Sequence, residues 1–334
     1  MPKTLRFPGW WLIRMKHGLG DFMQFSIVLK HLKHYIPEMQ FAVETLPGRE
    51  AILRGLATYK QLCSPFDVWN WEESLYINFP MADREYQNLP QTKTTHCIVD
   101  DLGLEPKAEL YSYNCILDPE IKNAVFKQRD ELGKKVILLH GKGVSKTWAK
   151  NLDDKILTRI EEFINASDKY ICVNLDKTPA STVDHLGAMI ESASLCIFVD
   201  SGPLHVAGAF STPTWGIWLK HHPVRCIEPF DHMTHWMPTD APEVGIEATR
   251  VFGNQYRSLT YETLSIGLLS ALEAFMAEDR LPYVKRAVWV APKLSGKELE
   301  IWERKQAAVA RIEEGFKKKR AISFLGLMAL PGQG

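Results

Sequence analysis

The run Leu195-Cys196-Ile197-Phe198-Val199, followed at once by Asp200-Ser201-Gly202-Pro203-Leu204-His205, constrains this chain more than any other stretch. Five apolar residues without alternation suit a strand buried on both faces of a parallel sheet. Residues 204–210 are helix-compatible, and residues 214–219 read as the next strand. Asp200 to His205 would then lie at the carboxyl end of a strand, where open α/β sheets bind ligands. Ser201 is expected to cap the helix, Gly202 to let a ligand approach the backbone, and Pro203 to suit the first turn. Free N–H groups and the positive helix end favour a phosphate there. A capped βα turn with no ligand would use the same residues.

The same grammar appears twice more. Residues 10–15 read as a first strand, and residues 16–20 form a glycine-bearing loop. Asp21 then opens a helix with Phe22, Phe25, Val28/Leu29, Leu32 and Ile36 at helical spacing. Pro37 ends it, and residues 40–44 are the second strand, completing a βαβ unit. Asp21 therefore sits at the mouth of this sheet, as an N-cap or as a group facing a ligand. Gly18-Leu19-Gly20 lacks the third glycine of a dinucleotide fingerprint and any Walker ending. Residues 48–56, 95–102 and 118–132 look helical, and residues 66–71 and 74–78 are strands or aromatic loops.

Residues 136–140 restart the strand pattern as a second unit. The polar loop that follows, Gly141-Lys142-Gly143-Val144-Ser145-Lys146-Thr147-Trp148, can hold a diphosphate through backbone N–H groups, a hydroxyl and a lysine. It can equally be a solvated loop with its lysines in water. Helices over 153–165 and 184–192 and a strand over 170–175 complete the alternation. A parallel sheet is expected, closed by a helix over 260–277. His221, His222, Cys226, His232 and His235 crowd a proline-rich loop without the spacing of a zinc site. The tail is separate. Ser295 and Glu298 have capping-box spacing ahead of a long helix, then a basic run (316–320) and an apolar stretch (321–330). That stretch fits docking on the protein itself or, with the basic run, peripheral contact with an anionic membrane surface.

A length of 334 residues suits about two domains. Lys+Arg and Asp+Glu are 40 each, so no overall field favours nucleic acid. Six dispersed cysteines without a C-x-x-C pair suggest a reduced, cytoplasmic protein. The N-terminal apolar run is too short for a signal peptide core, and no stretch is long enough to span a bilayer.

Three motifs combine in order: Arg14-x5-Gly20-Asp21, the 141–148 loop with Lys146-Thr147-Trp148, and Asp200-Ser201-Gly202-x-x-His205. Together they resemble glycosyltransferase family 9, the heptosyltransferases of lipopolysaccharide core synthesis. The likeness is strong over residues 10–45 and 136–219 and thin over 46–130. It implies a GT-B fold, with two Rossmann-like domains with parallel sheets facing across a cleft. Residues 1–130 would be the acceptor domain, 131–280 the nucleotide-sugar donor domain, and 281–334 a helical extension. It also implies inverting transfer that needs no metal and no cofactor beyond the nucleotide-diphosphate sugar as co-substrate. The acceptor would be a glycan or glycolipid hydroxyl.

Asp21 would be the general base, with Gly18 and Gly20 in the acceptor-side loop. Lys146 and the helix start at Gly202 would stabilise the leaving diphosphate. Lys142, Ser145, Asp200, Ser201 and His205 would complete the donor site. Lys220-His221-His222-Pro223 departs from the family's usual loop beside the donor, so heptose is an expectation from the family alone. A binding protein that kept the cleft without catalysis is the alternative reading.

Overall fold

A computed structural model describes residues 10–15, 18–38, 40–61, 93–143, 150–219, 223–228, 230–238, 256–259 and 261–278. The strands or aromatic loops expected at 66–71 and 74–78 and the 281–334 extension lie outside these residues.

The first half is a parallel three-stranded sheet, β1 (Trp10–Met15), β2 (Gln40–Thr45) and β3 (Thr58–Gln61), in the order β1-β2-β3. The long helix α1 (Leu19–Tyr35) joins the first two strands, and the short α2 (Glu50–Leu53) precedes the third. β3 was not anticipated. Helix α3 (Lys93–His96) runs on as a π-helical turn over Cys97–Asp101, and Ala108–Leu110 is a 3-10 turn.

The second half begins with α4 (Pro119–Glu131), capped by the Asp118 carboxylate accepting from Glu120 and Ile121 N–H. The expected boundary at residue 130 falls at the end of this helix, and α4 packs on α6 (Val183–Ser192) of the second half. β4 (Lys135–His140), β5 (Tyr170–Asn174), β6 (Leu195–Val199), β7 (Thr214–Ile217), β8 (Met233–Pro238) and β9 (Tyr256–Leu259) form one parallel sheet. Around them run α5 (Asp154–Asn165), α7 (Gly202–Ala207), α8 (Pro223–Cys226) and α9 (Tyr261–Glu278). The apolar runs are buried on both faces, as expected. In β6, Cys196 and Phe198 enter one core while Leu195, Ile197 and Val199 enter the other, beside α9 residues Leu264 and Leu268.

Strand order in this sheet is β5-β4-β6-β7-β8-β9. The chain leaves β4 for one neighbour and returns to its other side with β6. Order therefore reverses between β4 and β6, and the crevice beyond their carboxyl ends is the sheet's natural ligand position. The proline-rich stretch around His232 and His235, expected as a loop, contains β8. His235 is fully buried there, and its Nδ1 accepts from Trp218 Nε1 at 3.0 Å.

Among the described residues, the halves meet through a shared core and through polar contacts. One core runs from Ile13, Phe22 and Phe25 to Leu204, Val206 and Ala207, with α1 packed on α7. Elsewhere Arg54 forms a two-pronged pair with Asp184 of α6, its Nη2 at 3.1 Å from Oδ2. Asp184 also accepts from Asp118 N–H at 2.6 Å, and Val183 N–H bonds Gly48 O at 2.8 Å.

Candidate active site at the sheet's switch point

α1 begins two residues earlier than expected. Gly18 is its N-cap and Leu19 its first helical residue, so Asp21 lies inside the first turn. Asp21 is thus not the cap; Gly18 makes no side-chain cap bond, and a Cβ built there would lie 3.7 Å from Asp21 Oδ2. The next glycine is where the two halves touch. A Cβ at Gly20 would fall 2.5 Å from His205 Cδ2 and 2.9 Å from Nε2, so the imidazole rests on bare backbone. Likewise a Cβ at Gly202 would meet Leu19 Cβ at 3.0 Å. The first turn of α1, which carries Asp21, therefore lies directly against the first turn of α7.

Two groups distant in sequence feel the Asp21 charge. Burial lowers the Arg49 guanidinium, and the Asp21 charge pulls it back up. Arg49 is 8% exposed and lies over the Phe22 ring at 5.4 Å. Burial pushes the Tyr113 phenol well up, with Glu228 next and Asp21 a smaller contributor. Gln24, one turn along α1, donates from Nε2 to Cys226 O at 2.8 Å.

Across the contact lies a buried charge cluster. Asp200 Oδ2 forms an ion pair with Lys150, whose Nζ lies 2.7 Å away, and His205 Nε2 stands 3.7 Å from Oδ1. Burial alone would raise the Asp200 carboxyl; His205 and Lys150 outweigh it and hold it at about 2. His205 is 5% exposed, and its Nδ1 has no hydrogen-bond partner among the described residues. Ser201 does not cap α7: its hydroxyl turns back and donates to Val199 O at 3.0 Å. That bond bridges the turn ahead of Gly202.

Of the glycine loop after β4, the structure describes residues 141–143. Gly141 N–H donates to Asp176 Oδ2 at 2.8 Å, Lys142 N–H to Oδ1 at 3.3 Å, and Gly143 N–H to Asn151 Oδ1 at 2.9 Å. Side chains already occupy these amides, so they form no anion cradle. Asp176 also faces His140 Nδ1 at 2.7 Å, while burial lowers the His140 imidazole against that carboxylate's pull. Lys142 points away, pairing with the exposed Asp154 at 2.8 Å. Ser145, Lys146 and Trp148 lie outside the described residues. The structure thus brings Gly18, Gly20, Asp21, Asp200, Ser201, Gly202 and His205 together and separates Lys142 from them. Among the described residues no group of three potential ligands could hold a metal ion.

Lys150, Arg49 and Asp176 escaped the sequence reading. Each belongs to the site only through a partner distant in sequence, and no spacing signals such pairs.

Residues 124–237 match the family model "Glycosyltransferase family 9 (heptosyltransferase)". Among solved structures, the glycosyl transferase family 9 from Veillonella parvula DSM 2008 superposes with a TM-score of 0.55 at 11% identity, covering 81% of this chain and 98% of that one. E. coli heptosyltransferase WaaC with ADP aligns at 10% identity and TM-score 0.47, over 81% of this chain and 100% of that one. E. coli ADP-heptose lps heptosyltransferase II does so at 10% and 0.47, over 80% and 99%. No curated protein sequence matches. The Veillonella likeness carries the fold, and the GT-B arrangement of parallel sheets is that fold. The family match covers residues 124–237, running from α4 to β8 of the second half.

Proposed function

We propose that the protein transfers a sugar, with inversion, from a nucleotide-diphosphate donor to a glycan or glycolipid hydroxyl. The observation that carries this is the contact of Gly20 with His205, which sets Asp21 beside the turn at the switch point. Asp21 takes the acceptor's hydroxyl proton as its oxygen attacks the anomeric carbon. The bond from that carbon to the phosphate oxygen breaks, and the nucleoside diphosphate leaves with the electron pair. Its growing charge needs fixed cations and N–H dipoles. The start of α7 at Gly202, His205 and Lys146 are proposed to supply them, with Ser145 adding a hydroxyl. Asp200 is proposed to bind donor hydroxyls or to fix the loop. ADP-heptose is the donor suggested by the names of the aligned E. coli enzymes. Residues 1–130 would carry the acceptor and 131–280 the donor.

No helix among the described residues is long and apolar enough to cross a membrane. A cytoplasmic site of action, with peripheral membrane contact through the 281–334 tail, belongs to this same proposal.

A thermal-shift panel of nucleoside diphosphates and their sugars tests the reading, because selective binding to the folded state raises the midpoint. Stabilisation by one nucleotide and its sugar, and transfer that persists in EDTA, are expected. No shift with any donor, or transfer abolished by EDTA and restored by a divalent ion, would overturn it.

A further inference from the structure

We propose that Lys150 is the positioning residue that neutralises Asp200, so that an anionic diphosphate can sit beside a buried carboxylate. This rests on the sugar-transfer reading above and concerns the same site.

A diphosphate at the start of α7 meets a difficulty. Asp200 immediately precedes the Ser201–Gly202 turn, is 4% exposed, and is ionised at neutral pH. A bare carboxylate there repels phosphate strongly, because little water intervenes to screen it. Removing Asp200 is not the solution this chain shows; it brings a cation instead. Lys150 comes from the far end of the loop after β4, with its side chain 18% exposed and Nζ at 2.7 Å from Oδ2. Its stem passes close to Gly143. A Cβ built at Gly143 would lie 3.4 Å from Lys150 Cβ and 3.9 Å from Asp200 O, and Gly143 is itself bonded to Asn151. Lys142, the other described lysine of this loop, is engaged with Asp154 at the surface. His205 approaches the second carboxylate oxygen only at 3.7 Å, so Lys150 makes the closer compensation.

The test is calorimetry of ADP and of inorganic pyrophosphate binding to the full chain, with thermal melts for every variant. Lys150→Met leaves Asp200 without its closest counter-charge, and both probes should bind on the order of tenfold more weakly or worse. Asp200→Asn leaves the ammonium uncommitted, so pyrophosphate should bind more tightly than to wild type. The double variant K150M/D200N carries neither charge and should recover most of the affinity lost in K150M. Lys150→Arg keeps the charge and should bind nearly as wild type does.

A packing role for Lys150 would lower the melting midpoint of K150M while leaving its affinity intact, which overturns the proposal. A double variant no better than K150M also overturns it, since Lys150 would then touch the phosphates itself. D200N gives an independent reading should K150M fail to fold, and weaker pyrophosphate binding by D200N is a third contrary result. A wild type that binds neither probe removes the donor site and the sugar-transfer reading with it. Binding by wild type without rescue in the double variant removes this inference alone.

Discussion

Gly20→Ala is the smallest change that reaches the contact between the two halves. The added methyl would sit 2.5 Å from His205 Cδ2, 2.9 Å from Nε2 and 3.1 Å from Cγ. Carbon atoms rest at about 3.5–4.0 Å, so ring and backbone must part by about 1 Å. The ring has little room to retreat, being 5% exposed and bounded by Asp200. Relief must come from α1 moving off α7. Overpacking of this kind costs about 1–3 kcal/mol. Alanine in a helix regains up to about 1 kcal/mol over glycine. The net loss of stability is thus small, about 0–2 kcal/mol, and the melting midpoint should move by only a few degrees. Activity should respond far more, since about 1 Å of misplacement at a reacting centre can cost on the order of 10²-fold. The assay is nucleoside diphosphate release from the donor that wild type accepts, with Gly18→Ala as comparator. A Cβ at Gly18 meets nothing closer than 3.7 Å, so its effect should be much the smaller. If G20A transfers sugar at the wild-type rate, α1 and α7 do not meet during turnover in the way described.

Two further substitutions probe the frame. Burial pushes the His235 imidazole down to about 3, with His232 adding to the effect. The unfolded chain therefore takes up a proton below about pH 6.5 that the folded chain refuses, and stability falls with pH by up to about 1.4 kcal/mol per unit from that group. Urea midpoints at pH 7 and pH 5 should show His235→Asn losing less on acidification than wild type; equal losses would remove His235 from the acid response. Arg54→Met leaves Asp184, 3% exposed, with the Asp118 N–H but no counter-charge. Breaking a buried pair costs about 3–5 kcal/mol, and with Arg54 one-third exposed about 2 kcal/mol is expected from urea unfolding. An unchanged midpoint would show that this junction does not hold the halves together.

Much of the frame was legible because burial on both faces writes itself as unbroken apolar runs. β4 and β6 were readable for that reason, and α5 because Leu157, Ile160 and Ile164 mark one face. β8 was hidden: Pro229, Pro238 and two histidines look like a loop. Only the partner Trp218 makes a buried His235 intelligible. In the site, Asp21 and the Asp200–His205 turn stood out because strand ends are where chemistry gathers in such folds. In the glycine loop, spacing did not show that Asp176 and Asn151 take the amides of residues 141–143. Glycine spacing alone does not reveal what its neighbours will satisfy. Gly20 was read as part of an acceptor-side loop, and the structure adds that its missing side chain leaves room for His205.

The central claim is that Asp21 removes the acceptor proton. Steady-state transfer by Asp21→Asn, with donor affinity measured on the same preparation, tests it most directly. The amide keeps the shape of the carboxylate and loses its basicity, so kcat should fall by about 10²–10⁴-fold while ADP and donor bind as before. Sugar transfer at the wild-type kcat by a folded, donor-binding D21N enzyme would contradict the account.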